Sequence, residues 1–387
     1  MSRPLVIIFL TVLVNLIGFG IIIPLLPFYA QTFGASPLTI GMLFAAFSVC
    51  QLVAAPLLGH WSDTWGRRPV LILSLLGTVV SFVMLAVAHS LAMLFAARVV
   101  DGLSGGNITT ARAYIGDIAT DENRAKYFGL LGAAFGLGFI IGPGLSGAFA
   151  YISYTAPIWA AAAITFVAML MAWLWLPETV HRVHAVVGSP WRALRALSAR
   201  ADLRVLFAVD FLYWASFAVF QSTFALFGAQ RFNFDATHTG YILAVFGLLG
   251  VIVQGGIVAS VVARLGEKRT LIIGLLITAV SWTAAALSHS VMLFLATLVP
   301  AALGLGFCTP SLISLVSGAA GRHEQGRVQG AAGALESLGR TIGPVWGNGF
   351  LQVFGEGWAY GSAALVIVGT ALLATRYTPR PPDRTGP

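Results

Sequence analysis

Of the 387 residues, 58% are hydrophobic and only 9% charged, with a mean hydropathy of +0.88 and a formal net charge of +8. Soluble domains carry roughly a quarter charged residues, so this composition excludes a soluble globular protein and places the chain in a bilayer. The positive balance is concentrated in short loops between apolar runs, which reads as membrane topology and attraction to anionic lipid rather than nucleic-acid binding.

About 20 apolar residues cross the hydrocarbon layer, and by that measure the chain holds twelve candidate spans. The first, near Leu5–Ala30, follows Arg3 but is too long for a signal peptide, and it carries the amide of Asn15. The second, near Ile40–Gly59, carries Cys50 and Gln51. Between it and the third, near Val70–Ala88, lies the polar strip Gly59-His60-Trp61-Ser62-Asp63-Thr64-Trp65-Gly66-Arg67-Arg68-Pro69, read as a cytoplasmic hairpin loop of about ten residues.

The fourth span, near Leu91–Ile118, contains Arg98 and Asp101, three residues apart and so on one helical face, followed by Gly102, Gly105, Gly106 and Asn107. A charge in mid-membrane costs at least about 2.5 to 3.5 kcal/mol, so such a pair asks for a partner or a task. Either it is a structural salt bridge, or Asp101 binds a proton whenever the pair separates. The fifth span, near Tyr127–Tyr151, is glycine-rich, with Gly138, Gly142, Pro143 and Gly147 placed for close helix approach and a bend. The sixth lies near Ile158–Leu176.

The connection Pro177–Asp202 is the longest polar one, and its stretch Trp191–Leu197 reads as a basic amphipathic surface helix. This divides the chain into bundles at 1–178 and 202–376, a linker at 179–201 and a cytoplasmic tail at 377–387, whose Pro-rich part Pro379–Pro387 reads as disordered.

The second half supplies spans near Val205–Gly228, Gly240–Ala263, Leu271–Leu287, Val291–Ser317, Val328–Val353 and Trp358–Leu373. The seventh holds Asp210 and many rings, among them Tyr213, Trp214 and Phe217, together with Gln221. The eighth carries Gln254, and the eleventh carries Glu336 and Arg340 at i and i+4, with Asn348 beyond. Cys50 and Cys308 have no metal-ligand spacing around them and read as packing residues; no metal or cofactor is implied.

The halves are weak copies of each other. Gly66 aligns with Gly266 at an offset of 266 − 66 = 200, and the same offset pairs Thr78 with Thr278, Ser81 with Ser281 and His89-Ser90 with His289-Ser290. Gly142-Pro143 aligns with Gly343-Pro344 at 343 − 142 = 201. Parallel repeats of this kind build two six-helix bundles. Orientation follows from the basic residues: Arg67, Arg68, Arg124, Lys126, Arg182, Arg192, Arg195, Arg264, Lys268, Arg269, Arg322, Arg380, Arg384 and others fall on one side, Arg231 alone on the other. Both termini are therefore expected in the cytoplasm.

Twelve spans in two parallel copies, with Gly59, Asp63, Gly66, Arg67 and Arg68 at Gly-x-x-x-Asp-x-x-Gly-Arg-Arg spacing, resemble the major facilitator superfamily. The resemblance implies an all-α membrane transporter whose hairpin latches the two halves. The latch would rest on Asp63 near a helix N-terminus and the arginines near helix C-termini or a carboxylate such as Asp117. The segment Gly138–Gly147 resembles the glycine-rich motif of drug–proton antiporters, and helix one, Asp117–Gly147 and Arg231–Thr237 resemble tetracycline-resistance-type exporters. Where those exporters carry an aspartate in helix one, this chain has Asn15, which does not titrate near neutral pH.

The resulting expectation is a monomeric, proton-coupled efflux antiporter of the bacterial inner membrane, with protons and a lipophilic small molecule as partners besides lipid. Asp101 and Arg98 are the first candidates for proton coupling, followed by Glu336, Asp210 and Arg340. A central cavity is expected to use Asn15, Gln51, Asn107, Tyr213, Trp214, Phe217, Gln221, Gln254 and Asn348. The alternatives are a symporter or exporter of a metabolite, sugar or lipid on the same fold, and a membrane receptor or scramblase. An enzyme is disfavoured because all seven histidines fall in loops or at span ends.

Overall fold

A computed structural model describes residues 3–120, 122–179, 190–320 and 324–378. His181, Arg182, His184, Arg322, His323 and the Pro379–Pro387 tail lie outside the described residues, as do the side chains of Arg124 and Arg192.

Among the described residues all regular structure is helical. In chain order the helices are α1 (Arg3–Gln31), α2 (Pro37–Thr64), α3 (Arg67–Ala86), α4 (Leu91–Ser104), α5 (Asn107–Ile118), α6 (Arg124–Ala150), α7 (Ala156–Trp175) and α8 (Pro190–Leu197). They continue with α9 (Ala201–Phe232), α10 (Ala236–Ile252), α11 (Val258–Leu265), α12 (Glu267–Leu287), α13 (Val291–Gly318), α14 (Gln325–Phe354) and α15 (Glu356–Thr375). Among the described residues ten helical segments are long and apolar enough to cross a membrane, one of them running Ala236–Leu265 through α10 and α11. The broken pair α4 and α5 and the 30-residue α14, diluted by Arg327, Glu336 and Arg340, complete the twelve. The linker stretch expected to be helical is α8.

Three local features depart from the sequence reading. The polar strip is not a ten-residue loop: α2 runs to Thr64 and α3 begins at Arg67, leaving only Trp65 and Gly66 between them. The fourth span breaks, because Gly105 and Gly106 close a turn in which their N–H groups donate to Gly102 and Ser104 carbonyls at 3.1 and 2.9 Å. The eighth span contains a π-helical turn at Val253–Ile257, in which the Val258 N–H donates to the Val253 carbonyl across five residues.

By internal contacts the chain divides into two compact units. One comprises Met1–Val187, Val219–Leu248 and Pro344–Ala359; the other comprises Gly188–Ala218, Leu249–Gly343 and Tyr360–Pro387. In the first unit α1 packs on α6 and α7, α3 on α4 and α7, and α2 on α4. Its core gathers Leu5, Ile8, Val12, Leu71, Leu75, Tyr114 and Ile115. Segments 219–248 and 344–359 join it through backbone-close contacts: a Cβ on Gly240 would overlap Gly147, one on Gly247 would overlap the Phe139 carbonyl, and one on Gly41 would overlap the Pro344 carbonyl. In the second unit α12 packs on α13.

The internal repeat is visible as chemistry. Ser81 donates to the Ala97 carbonyl at 2.9 Å, and Ser281 donates to the Thr297 carbonyl at 2.6 Å, each across 16 residues. Gly66 and Gly266 both take positive φ, at 115° and 77°, immediately before the next helix begins.

Candidate functional site

On α4, the Arg98 Nη1 donates to the Asp101 Oδ2 at 2.8 Å. Both are buried, Arg98 at 1% and Asp101 at 7% exposure. The guanidinium lies over the Phe47 ring at 4.4 Å, and Phe47 meets Phe19, which in turn meets Phe139. Arg98 Nε and Nη2 have no protein partner. A cation–π contact and one ion pair therefore offset the burial of this charge, with donor capacity left over. The pair forms because three residues on a helix span less than one turn, and Ser90, capping α4 through the Met93 N–H at 3.3 Å, fixes the helix start.

The glycine turn after α4 carries two of the expected polar residues. Gln51 Nε2 donates to the Gly105 carbonyl at 3.2 Å, and Asn107, the first residue of α5, is buried with both amide atoms lacking a protein partner. Asn15 is half-buried in α1.

The hairpin is a charge network. Arg67 pairs with Asp63 and, through Nε, with Asp117 at 3.1 Å, and its Nη1 donates to Ser62 at 2.7 Å. Ser62 donates to the Gly59 carbonyl at 2.8 Å. The expected dipole arrangement is reversed. Asp63 sits in the last turn of α2 and Arg67 and Arg68 are the first residues of α3, so each charge lies at the helix end it complements least. The chain turns too tightly for the anticipated loop, and the compensation comes instead from ion pairs and from Glu178. Its carboxylate accepts the Arg67 and Arg68 backbone N–H groups at 2.9 and 3.1 Å, capping α3. Gly66 is required there, since its φ is +115° and a Cβ would overlap the Glu178 carboxylate. Glu178 was missed by the sequence reading; its only signal is that it is a lone carboxylate directly after the sixth span.

Gly138, Gly142, Pro143 and Gly147 hold α6 against two helices. Cβ atoms on Gly138 and Gly142 would overlap Leu16, Ile17 and Gly20 of α1, and one on Gly147 would crowd Thr237 and Tyr241 of α10. The repeat partner behaves alike: Cβ atoms on Gly339 and Gly343 of α14 would overlap Ala215 of α9.

In the second unit Asp210 of α9 is 6% exposed, and its Oδ2 has no protein partner. Trp214 lies one turn along α9, and Glu336 and Arg340 lie on α14. Arg340 Nη2 pairs with the Glu336 Oε1 at 3.0 Å, and the guanidinium lies over the Trp214 ring at 4.6 Å. Trp214 packs edge-on against Tyr213 and Phe217 at 5.5 and 5.7 Å, and the Tyr213 hydroxyl shares a 2.7 Å hydrogen bond with Thr309 on α13.

The remaining expected residues are dispersed. Asn348 is buried, its Nδ2 donating to Ser222 at 3.1 Å and to the Pro344 carbonyl at 2.9 Å while its Oδ1 has no protein partner. Gln221 is half-buried in α9, and Gln254 is exposed in the π-helical turn.

The sequence pattern described as Major Facilitator Superfamily matches residues 8–263 and 255–387. The tetracycline resistance protein, class G, of Vibrio anguillarum is 33% identical over 375 residues, covering 93% of this chain and 94% of that protein. Multidrug resistance protein 2 of Bacillus subtilis (strain 168) is 29% identical over 346 residues, covering 87% and 86%. A solved structure of a bacterial homolog of the human lysosomal transporter Spinster superposes with a TM-score of 0.83 at 15% identity, covering 98% of both chains, and so shares the fold. With twelve membrane helices, a repeat expressed in matching serine and glycine geometry, and relatives alike over nearly their whole length, this multi-pass membrane chain belongs to the Major Facilitator Superfamily.

Proposed function

We propose that this transporter is a proton-coupled antiporter that exports lipophilic small molecules by alternating access. The observation that carries the reading is the buried Arg98–Asp101 pair, an ionisable couple inside a membrane helix that breaks at the next glycines. A proton captured by Asp101 dissolves the pair, and proton loss reforms it, so one event changes both the charge and the contacts of α4. The substrate class follows from the efflux relatives, and from rings such as Tyr213, Trp214 and Phe217 beside few polar anchors.

In this reading the chain has two six-helix halves, 1–178 and 202–376, joined by 179–201. It lies in a bacterial inner membrane with both termini in the cytoplasm and works as a monomer. The Asp63–Arg67–Asp117 network with Gly59, Gly66 and Arg68 serves as the conformational latch, and Gly138, Gly142, Pro143 and Gly147 as the antiporter helix. Asn15, Gln51, Asn107, Gln221, Gln254 and Asn348 supply polar contacts along the substrate path.

The test is uptake of labelled lipophilic drugs, tetracycline among them, into inside-out vesicles under an imposed proton gradient. Wild type is expected to accumulate at least one drug, and Asp101→Asn to fall to the level seen without a gradient. Accumulation of none, or full gradient-driven uptake by Asp101→Asn, refutes the reading.

A further inference from the structure

The internal repeat departs from itself at one place inside the membrane, where the second half has an isoleucine and the first a glycine. Leu58 and Trp61 of α2, Leu73, Gly77 and Val80 of α3, and Leu103 of α4 line a groove of about 340 Å³, at the small end of the range for ligand pockets. The hydroxyl-bearing Ser74 and Ser104 complete its walls. The offset of 200 between the halves carries Leu58, Gly77, Leu103 and Ser104 to Val258, Ile277, Leu303 and Gly304. There Ile277 and Leu303 pack against a buried cluster of Val253, Val258 and Phe307. Gly274 and Gly304, at the positions of Ser74 and Ser104, also bring α12 and α13 together, since a Cβ on Gly274 would lie 2.8 Å from the Gly304 carbonyl oxygen. In the first half Gly77 contributes no side chain where Ile277 does, and a Cβ on it would overlap the Ser104 hydroxyl. Leu73, Leu76 and Val80 are exposed along a helix of membrane-spanning length, so the groove opens to hydrocarbon. An apolar groove left empty forfeits the dispersion contacts of its walls, and the copy shows what chemistry supplies them: a flexible aliphatic group.

We propose that this groove is a binding site for one acyl chain of a membrane phospholipid, which takes the place that the Ile277 side chain holds in the second half. Recognition is of the chain and not of the headgroup, because no charged residue lines the groove. Trp61 lies one turn before the end of α2 and stacks on Trp65 at 5.2 Å, which sets that end of the groove near the membrane interface, where indoles are favoured. From Leu73 the groove follows α3 for about 10 Å to Val80, at 1.5 Å per residue. Leu103 and Ser104 are the last two residues of α4 before the turn at Gly105, so a seated chain touches the end of the helix that carries Arg98 and Asp101. Only the membrane placement of these three helices is needed for this, and not drug export.

The experiment uses the full chain in phospholipid nanodiscs doped with a lipid that carries a photoreactive diazirine in one acyl chain, once with a phosphoglycerol and once with a phosphocholine headgroup, and maps the labelled peptides. Wild type is expected to be labelled saturably on residues 73–80 and 100–104 with either headgroup, about fivefold more densely than on 273–280, where Val280 is equally open to lipid but Ile277 fills the groove. Gly77→Ile combined with Ser104→Gly copies the second half and is expected to cut that labelling about fivefold. Val87→Trp, exposed beyond the groove at the end of α3, is expected to leave it unchanged. Labelling no denser than on 273–280, labelling undiminished in the double variant, or labelling with one headgroup alone overturns the proposal. Displacement of the label by tetracycline would assign the groove to a drug and overturns it as well. Should the double variant not fold, Val80→Trp, which covers the groove from its rim, is expected to show the same loss, and full labelling there would count against the proposal.

Discussion

Among the described residues, two places bury acidic side chains inside membrane helices, and they do so by opposite means. Asp101 has its counter-charge on the same helix face, 2.8 Å away, and that counter-charge is braced by the Phe47 ring. Asp210 is 6% exposed and its Oδ2 has no hydrogen-bond partner, while Arg340 on α14 pairs with Glu336. The first arrangement is electrically closed, and opening it exposes two charges together. The second leaves a buried carboxylate oxygen without a hydrogen-bond partner. A closed pair offsets part of the burial cost of both its charges; an open acid does not.

Stability measurements separate the two arrangements most sharply. Arg98→Ala leaves Asp101 buried without its partner, at an expected cost of about 3–5 kcal/mol, read as a large fall in the unfolding temperature of the purified protein. Asp210→Asn keeps the volume and removes a buried carboxyl group whose Oδ2 has no hydrogen-bond partner, so its unfolding temperature is expected to equal or exceed that of wild type. A comparable loss in both variants would mean that Asp210 has a structural counter-charge and that the distinction is false.

Much of this contrast was legible before any coordinates, because apolar runs of membrane length isolate each charge that interrupts them. Arg98 with Asp101, and Glu336 with Arg340, were visible as helical neighbours, and both pairs form. The repeat was visible too, since serines and glycines at one offset perform one task in each half. What sequence spacing does not carry is contact between distant segments. Glu178 caps a helix that begins 111 residues earlier, Phe47 covers an arginine on another helix, and Asn348 spends its amide on Ser222. The break after α4 and the π-helical turn were hidden because glycine is equally at home in a packed helix and in a turn.

The two hairpin glycines offer a second contrast, expected to be smaller. Gly66 and Gly266 both hold a backbone conformation that L-residues avoid, so alanine at either is expected to cost about 1–3 kcal/mol. At Gly266 a Cβ would meet nothing within 4 Å, whereas at Gly66 it would displace Glu178 and release the Arg67 and Arg68 N–H groups. Gly66→Ala is therefore expected to be worse than Gly266→Ala by about 1–3 kcal/mol, the cost of leaving those groups unsatisfied. Added to Glu178→Ala, the substitution should cost only the backbone share, so a double-mutant cycle on unfolding temperatures measures the cap directly. Additive losses would show that Glu178 does not hold the start of α3.

The smallest effect tests whether the halves are energetic as well as geometric copies. Ser81 and Ser281 each donate to a carbonyl 16 residues on, joining α3 to α4 and α12 to α13, and each is buried. A buried hydroxyl-to-carbonyl bond is worth about 1 kcal/mol net, and truncation leaves a carbonyl that already accepts its own helical N–H, so no fully unsatisfied group results. Ser81→Ala and Ser281→Ala are each expected to lower stability by about 0.5–1.5 kcal/mol, equal to within about 0.5 kcal/mol, with the double variant additive because the sites share no partner. Unequal losses would locate extra strain or extra solvent in one half. Because the two serines have the same partners by type and are both buried, any such difference would have to come from the surroundings in which the halves differ, the Asp63–Arg67–Asp117 ion pairs beside α3 and the Glu267-Lys268-Arg269 start of α12.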